Sequence, residues 1–360
     1  MSPVIDIHFH LLADNDIDGC KMSDRLKGSA PGLVAGVLTG TTLQEFLDLI
    51  DPDDEPHESS SHLARKLLRL IDTADHVDGA VLLALDCIVD HAGNEKLEDS
   101  HLVVTNRYAA QVVRAYRGSK LLRFGASVHP YRPDALERLD QAIADGAVLV
   151  KWVPSSQQFD LEDPRAIAFG QHLAERGIPL LCHMGKEGAI PVPDASFREQ
   201  ENPGKLKKIL DTGAKVIVAH CAAPYTEEEP NYVPTIRELL ANPSWDVLVD
   251  ISALLLGPIR GCALRGFFDE VPASKMVYGS DFPIPTLDLS FGMLERAIEL
   301  KYYLHAAATR NWLDIDVLYK RAYRIPDAVF TNTARVLGIE GARASTSSGQ
   351  GSLPRWVTNG

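Results

Sequence analysis

The sequence is poor in the features that mark several classes of protein. It has only five cysteines in 360 residues, and no two of them form a CxxC pair. An odd number of widely spaced cysteines argues against a disulfide framework or a zinc ribbon and favours a reducing compartment. No run approaches the roughly 18 apolar residues that a membrane-spanning helix needs. We therefore expect a soluble, cytoplasmic protein with no membrane partner.

Positive charge is also scarce. Lys and Arg number 36 against 49 Asp and Glu, which gives a formal net charge of −13. This balance argues against a broad basic surface for nucleic acid, so we expect no nucleic-acid partner. The content of 45% hydrophobic and 24% charged residues is ordinary for a globular protein. The composition leaves open whether the chain forms a homodimer.

Short apolar runs alternate with amphipathic stretches along the chain. Many of the runs are rich in Val, Ile and Leu, as expected of strands that are buried on both faces. The eight predicted strands are residues 4–7, 79–85, 122–128, 147–150, 178–181, 215–219, 247–251 and 275–278. Helical spacing of apolar residues is found in 135–145, 164–176 and 205–211. This order predicts a parallel α/β sheet, either closed as a (β/α)8 barrel or open and doubly wound.

Residues 1–344 are interpreted as a single barrel domain. The stretch 11–78 is too long for one helical connection, so we predict a lid-like insertion after strand 1. The alternative is a solvated acidic loop around residues 51–61, which read DPDDEPHESSS. Residues 345–360 have no periodicity and are predicted to form a flexible tail.

Side chains that can bind metal stand at the ends of the predicted strands. Strand 1 ends in Asp6-Ile7-His8-Phe9-His10. Because strand side chains alternate between faces, His8 and His10 point the same way and suit zinc, iron or nickel. A polar residue also ends the apolar run in four later strands, namely Lys151, His183, His220 and Asp281.

In a parallel barrel these strand ends meet at one mouth, where active sites are built. Each residue also has a simpler explanation, as a satisfied core histidine, an ion-paired lysine or a turn aspartate. Crowding all of them at one low-dielectric mouth is costly without a compensating charge. The pattern therefore predicts a bound divalent cation, with zinc expected first and manganese, iron or nickel as alternatives.

Several longer motifs resemble the amidohydrolase superfamily, in its amidohydrolase-2 branch that includes relatives of aminocarboxymuconate-semialdehyde decarboxylase. They extend from Asp6 to Ile339 and read DIHFH, GASVHPYRPDALERL, VKWVP followed by QQFDLEDP, IPLLCHMG, VAHCAAP, YGSDFP and TNTARVLGI. The resemblance implies a distorted (β/α)8 barrel with a catalytic divalent metal. Together with the insertion predicted after strand 1, we expect extra C-terminal helices.

The resemblance further implies roles for the strand-end residues. The usual metal ligands are matched by His8, His10, His183 and Asp281. His220 matches a histidine that contacts substrate or water in one-metal members and binds a second metal in two-metal members. Lys151 falls where two-metal members carry a carboxylated lysine, although Trp152 and Val153 follow it where many relatives have Leu-His. We expect one ion, or two if Lys151 is carboxylated.

The leading interpretation is a metal-dependent hydrolase of an amide, ester or lactone. Metal-activated water would attack, Asp281 would carry its proton, and His220 would polarise the substrate carbonyl. The same ligands serve a nonoxidative decarboxylase of a small unsaturated or aromatic acid, which is the alternative. A non-catalytic metal-binding protein is the third hypothesis.

Other residues are predicted around this centre with less support from the pattern. Asp6 is a candidate to orient a ligand imidazole. The predicted substrate contacts are Trp152, His129 and Arg260. Each has an alternative: Trp152 packs against helices, His129 shapes a loop, and Arg260 lies at the surface. Arg260 is of interest because a guanidinium can bind a substrate carboxylate through two hydrogen bonds.

Overall fold

Eight parallel strands form one sheet, in which each strand pairs with the next along the chain. The computed structural model describes residues 2–28, 60–255, 258–284, 286 and 299–339. The strands are β1 Ile5–His10, β2 Gly79–Leu83, β3 Leu121–Ala126, β4 Ala147–Trp152, β5 Leu180–Cys182, β6 Val216–Val218, β7 Val247–Asp250 and β8 Met276–Val277. Each of them overlaps one of the eight predicted apolar runs.

Hydrogen bonds between β1 and the segment at and after β8 close the sheet. Ile7 N donates to Tyr278 O at 3.1 Å, and Asp281 N donates to His8 O at 2.8 Å. This closure and the sequential strand order make the fold a (β/α)8 barrel rather than the open doubly wound sheet. The barrel is distorted, since β8 has only two residues and the pairing of β1 with β2 shifts register between Asp6 and Phe9.

Helices surround the sheet, and within the described residues three helices follow the last strand, where extra C-terminal helices were predicted. The helices are α1 Asp24–Lys27, α2 Ser60–Asp72, α3 Asn106–Ala115, α4 Ala135–Ala144, α5 Pro154–Gln157, α6 Pro164–Arg176, α7 Lys207–Leu210, α8 Val233–Ala241, α9 Pro258–Ala263, α10 Phe267–Glu270, α11 Leu300–Ala308, α12 Trp312–Ala322 and α13 Asp327–Val336. Helix α6 has the predicted bounds because the Asp163 side chain caps its first turn and Gly177, at φ 66°, ends it. Helix α7 is shorter than predicted, since Pro203–Leu206 forms a 3₁₀ turn before it.

Parts of the predicted insertion and all of the predicted tail lie outside the described residues. Of 11–78, residues 29–59 are not described. The described part includes a two-residue strand, Lys21–Met22, that pairs with Leu102–Val103. A second two-residue pair joins Ile88–Val89 to Glu95–Lys96. Throughout the described ranges the helices are too short or too polar to cross a lipid bilayer.

The apolar core has an outer part, between strands and helices, and an inner part that fills the barrel. The inner part contains Ile7, Val81, Leu149, Leu181, Ile217, Leu248 and Val277. Because strand side chains alternate, the residue two positions after an inner leucine points to the same side, higher in the barrel. This rule places Lys151 above Leu149 and Asp250 above Leu248, at the mouth.

Candidate metal centre

His8, His10 and Asp281 meet where β1 joins the segment after β8. His8 Nε2 lies 3.2 Å from His10 Nε2. Asp281 Oδ1 lies 3.0 Å from His8 Nε2 and 3.3 Å from His10 Nε2. Within the described residues, these three side chains are the group whose ligand atoms lie close enough together to hold a metal ion.

The backbone around Asp281 is shaped to present its carboxylate to β1. Asp281 has a left-handed conformation, with φ 66°, that is uncommon for a residue other than glycine. Gly279 allows the backbone after β8 to approach β1 closely, because a Cβ at position 279 would lie only 2.7 Å from the Cβ of His8. Asp6 joins the two segments, as its Oδ1 accepts hydrogen bonds from the backbone N–H groups of His8 at 3.0 Å and Ser280 at 2.9 Å.

Asp250 holds the imidazole of His8 in place, a role that was predicted for Asp6. Its Oδ2 accepts a 2.8 Å hydrogen bond from His8 Nδ1, and both side chains are fully buried. Oδ1 of Asp250 accepts a 2.6 Å hydrogen bond from the backbone N–H of His220. The signal for Asp250 was present in the sequence, since it ends the apolar run of β7 just as Lys151 ends that of β4.

The three atoms of the group fit a divalent cation. Asp250 holds a proton on Nδ1 of His8, so Nε2 is the nitrogen that can bind a metal ion. Burial and Lys151 oppose a positive charge on His8, but Asp281 and Asp250 outweigh them and raise its pKa, so this pocket attracts positive charge. Acceptor atoms that face each other at 3.0–3.3 Å repel unless positive charge lies among them. Two imidazoles and a carboxylate are a usual ligand set for zinc, and these separations match about 3.3 Å between tetrahedral ligands with bonds of about 2.0–2.1 Å.

Asp281 remains ionised and Lys151 is easily deprotonated in this environment. Burial disfavours charge on Asp281, but His8 and His10 outweigh it and hold the pKa of its carboxyl well below the ordinary value. Burial lowers the pKa of Lys151, whose Nζ lies 2.8 Å from His8 Nε2. A neutral amine is the form that can be carboxylated, so the lowered pKa is compatible with a carboxylated Lys151. The carboxylated, bridging lysine stays a prediction.

His183 and His220 form a pair beside this group. His220 Nε2 lies 3.1 Å from His183 Nδ1, and the ring centroids of His8 and His220 lie 6.3 Å apart. Burial lowers the pKa of His183 to about 3 and that of His220 well below its ordinary value, so both rings are neutral at pH 7. His220 also begins three successive non-glycine residues with positive φ, a conformation that concentrates at functional sites.

The three predicted substrate-binding residues are not brought into the metal group. Trp152 faces outward, donating from Nε1 to Val128 O and packing against Phe169 of α6. Both ring nitrogens of His129 are used by the backbone, at 2.8 Å from Gln157 O and 3.1 Å from Tyr131 N.

Arg260 is fully buried rather than at the surface. Its guanidinium donates to Ala253 O and Ala223 O, each at 2.8 Å, and stacks on the ring of Tyr225. The positive charge of Arg260 contributes to the lowered pKa of both His183 and His220. The guanidinium therefore lies near the mouth of the barrel.

A protein-family model, described as amidohydrolase, matches residues 5–314. The chain belongs to this amidohydrolase family. The match covers both the barrel and every residue of the site, and members of the family depend on a bound metal. No curated protein matches the sequence.

Solved structures with this fold come from several bacteria. An uncharacterized TIM-barrel protein of Bordetella bronchiseptica is 14% identical with a TM-score of 0.54, over 93% of this chain and 98% of that one. A probable 2-pyrone-4,6-dicarboxylic acid hydrolase of Acinetobacter baumannii is 14% identical with a TM-score of 0.54, over 94% and 100%. A 5-carboxyvanillate decarboxylase of Sphingomonas paucimobilis is 12% identical with a TM-score of 0.51, over 94% and 100%. At this identity the likeness shows the barrel fold, on which these neighbours carry different activities.

Proposed function

We propose that this protein is a metal-dependent hydrolase that cleaves an amide, ester or lactone bond in a small molecule. The observation that carries the proposal is the position of the Asp281 carboxylate, 3.0 Å and 3.3 Å from the metal-facing nitrogens of His8 and His10. A divalent cation held by these residues supplies Lewis acidity, which activates water and polarises a carbonyl oxygen. Hydrolysis needs a proton acceptor beside the attacking water. Asp281 can serve because its carboxylate lies at the barrel mouth, where it is 7% exposed.

Three side chains have separate roles in the proposed hydrolysis. Asp281 accepts the proton of the attacking water and passes it to the leaving nitrogen or oxygen. Nδ1 of His220 is buried and has no hydrogen-bond partner among the described residues, so it is available to donate to the substrate carbonyl oxygen as charge develops there. His183 supports this role when its Nδ1 donates to Nε2 of His220.

A nonoxidative decarboxylase of a small unsaturated or aromatic acid is the second candidate function. Arg260 favours it, because its guanidinium is buried near the mouth and its Nε has no hydrogen-bond partner in the described part of the chain. A substrate carboxylate would compensate that buried charge.

A substrate panel separates these functions. Metal-loaded protein would be assayed against lactones, esters and amides and against carboxylated aromatic acids, with acid release and CO2 followed in parallel. The hydrolase proposal expects acid release without CO2 from at least one neutral substrate. CO2 release from the acids alone would establish the decarboxylase instead. Turnover of none of them, with metal bound, would favour a non-catalytic metal-binding protein.

A further inference from the structure

A buried ion pair on helix α12 contacts the backbone on both sides of Asp281. Lys320 and Asp316 lie one turn apart on this helix, with Nζ and Oδ2 2.5 Å apart, and their side chains are 0% and 2% exposed. Nζ of Lys320 also donates a 2.9 Å hydrogen bond to the carbonyl oxygen of Gly279, which precedes Asp281. Oδ1 of Asp316 accepts a 2.9 Å hydrogen bond from the hydroxyl of Thr286, which follows Asp281.

The carbonyl of Gly279 depends on Lys320 rather than on the sheet. The carbonyls of the residues before and after it accept backbone hydrogen bonds, at 3.1 Å from Ile7 of β1 and at 3.2 Å from Ala253. Among the described residues, the hydrogen bond to the Gly279 carbonyl comes from the amine of Lys320. Because a buried carbonyl without a partner is costly, this bond fixes the backbone at the point where the sheet ends.

The backbone of Asp281 needs such support. It is held in a left-handed conformation, with φ 66°, and a strained residue of this kind persists only where the surrounding contacts hold it. Gly279 has no side chain that could anchor the segment by packing. The hydrogen bonds from α12 therefore supply contacts that this part of the backbone cannot make for itself.

Helix α12 is itself fixed to the barrel at its first turn. The carboxylate of Asp314, which is 3% exposed, accepts hydrogen bonds from the backbone N–H groups of Asp75 at 2.8 Å and His76 at 2.7 Å, in the segment before β2. The side chain of Asn311 caps the same turn by accepting from the backbone N–H of Leu313 at 3.0 Å. A helix anchored in this way can hold a neighbouring segment through its last turn.

We propose that Lys320, together with Asp316, is a positioning residue for Asp281. The pair holds residues 279–284 so that the Asp281 carboxylate stays 3.0 Å and 3.3 Å from the Nε2 atoms of His8 and His10. It acts through the backbone, in the way that partners behind a ligand fix the ligand's position. This inference rests on the proposed function, because it concerns the placement of the proposed ligand and proton carrier.

The test replaces the pair by neutral residues of similar size, in the double variant Asp316→Asn/Lys320→Met. Because both charges are removed together, no buried charge is left unpaired. Asn332→Ala is the control, since it removes hydrogen bonds of 2.6 Å and 3.0 Å from α13 to backbone carbonyls at the start of β8. The control weakens support for the same strand and leaves the contacts of α12 unchanged.

Two local measurements are made on each protein. Hydrogen exchange of the metal-free protein follows the amide of Asp281, whose N–H donates to the carbonyl oxygen of His8 at 2.8 Å. Co²⁺ is the probe metal, with its affinity measured by competition with a chelator and its absorption spectrum reporting the ligand set. A pair that only adds to global stability would give the same result as the control in both measurements.

We expect the double variant to exchange the Asp281 amide about 10-fold faster or more, because local opening becomes easier. We also expect its Co²⁺ affinity to fall about 10-fold or more and its Co²⁺ spectrum to change, with all three unchanged in Asn332→Ala. Wild-type exchange or wild-type Co²⁺ affinity in the double variant would overturn the proposal, as would equal changes in the control.

A second variant covers the case in which the double variant does not fold. Thr286→Val removes the other tie, between its hydroxyl and Asp316, and carries the same expectation and the same refutation. Failure of the proposed function is distinguishable, because wild-type protein would then bind no Co²⁺. In that case exchange alone decides whether the pair holds Asp281, with faster exchange in the variant supporting the contact and wild-type exchange overturning it.

Discussion

Asp250 accepts a 2.8 Å hydrogen bond from Nδ1 of His8, and neither side chain is exposed to solvent. Burial opposes the charge on Asp250, but His8 and the hydroxyl of Ser252 outweigh it and lower the pKa of the carboxyl. The pair therefore consists of an ionised acceptor and an imidazole whose proton is fixed on Nδ1. Nε2 faces His10 and Asp281 and is the nitrogen that would bind a metal ion in place of a proton.

Changing Asp250 to Asn removes this control of the His8 tautomer. The amide can donate to Nδ1, so that Nε2 takes the proton and loses its lone pair. We expect zinc affinity to fall about 10–100-fold, measured by chelator competition. Ser252→Ala is the control, since its hydroxyl lies 3.1 Å from the same nitrogen without fixing a charge there, and it should weaken binding less. Equal affinity in Asp250→Asn and wild type would contradict the assignment.

Lys151→Met tests the number of ions. Methionine fills a similar volume but cannot be carboxylated. With one ion per chain, we expect this variant to retain one tightly bound metal, and we expect the metal content of wild type to be independent of bicarbonate. The carboxylated lysine would be established by a different result: about two metal ions per wild-type chain, with fewer in bicarbonate-free medium and fewer in Lys151→Met.

Asp281→Asn tests the proposed proton carrier. A positioned general base contributes about 10²–10⁴-fold to a rate, so kcat for hydrolysis should fall at least 100-fold. Because Asp281 is also a predicted ligand, metal content must be measured on the same sample, and kcat compared at saturating metal. A variant with full metal content and unchanged kcat would remove Asp281 from the mechanism.

His129 gives a pH dependence of stability that is separate from the metal centre. Burial lowers its pKa to about 4, against 6.5 for an exposed imidazole. Between these values the unfolded chain binds a proton that the folded chain does not, so stability is full above pH 6.5 and falls as the pH drops towards 4. The contribution is about 3 kcal/mol.

The measurement is the free energy of unfolding in denaturant at several pH values, for wild type and His129→Gln, both with excess chelator. Glutamine can keep a donor and an acceptor for the backbone but does not titrate. We expect the stability gap between the two proteins to narrow as the pH falls from 6.5 to 4. Parallel curves would show that His129 does not titrate in this window.

The apolar runs were sufficient to predict the eight parallel strands, because strands buried on both faces leave such runs, while the closed barrel was implied only by the family resemblance. The sequence also indicated His8, His10 and Asp281, because alternation and strand ends are local properties. The same reasoning should have indicated Asp250, which ends β7. Trp152 was predicted as a substrate contact, although alternation favoured its packing role because its neighbour Lys151 points inward, and the structure shows the packing role. The contact of Glu187 with His183 could not be predicted, because only the folded loop after β5 brings the two side chains together.

The central claim is that His8, His10 and Asp281 hold a divalent cation. The most direct measurement is the metal content of freshly purified protein by elemental analysis, for wild type and for His8→Ala/His10→Ala. We expect about one equivalent of zinc, manganese, iron or nickel in wild type, and less than a tenth of that in the variant at unchanged fold. A wild-type protein without metal, which also takes up none on incubation, or a variant that keeps its full equivalent, would contradict the claim.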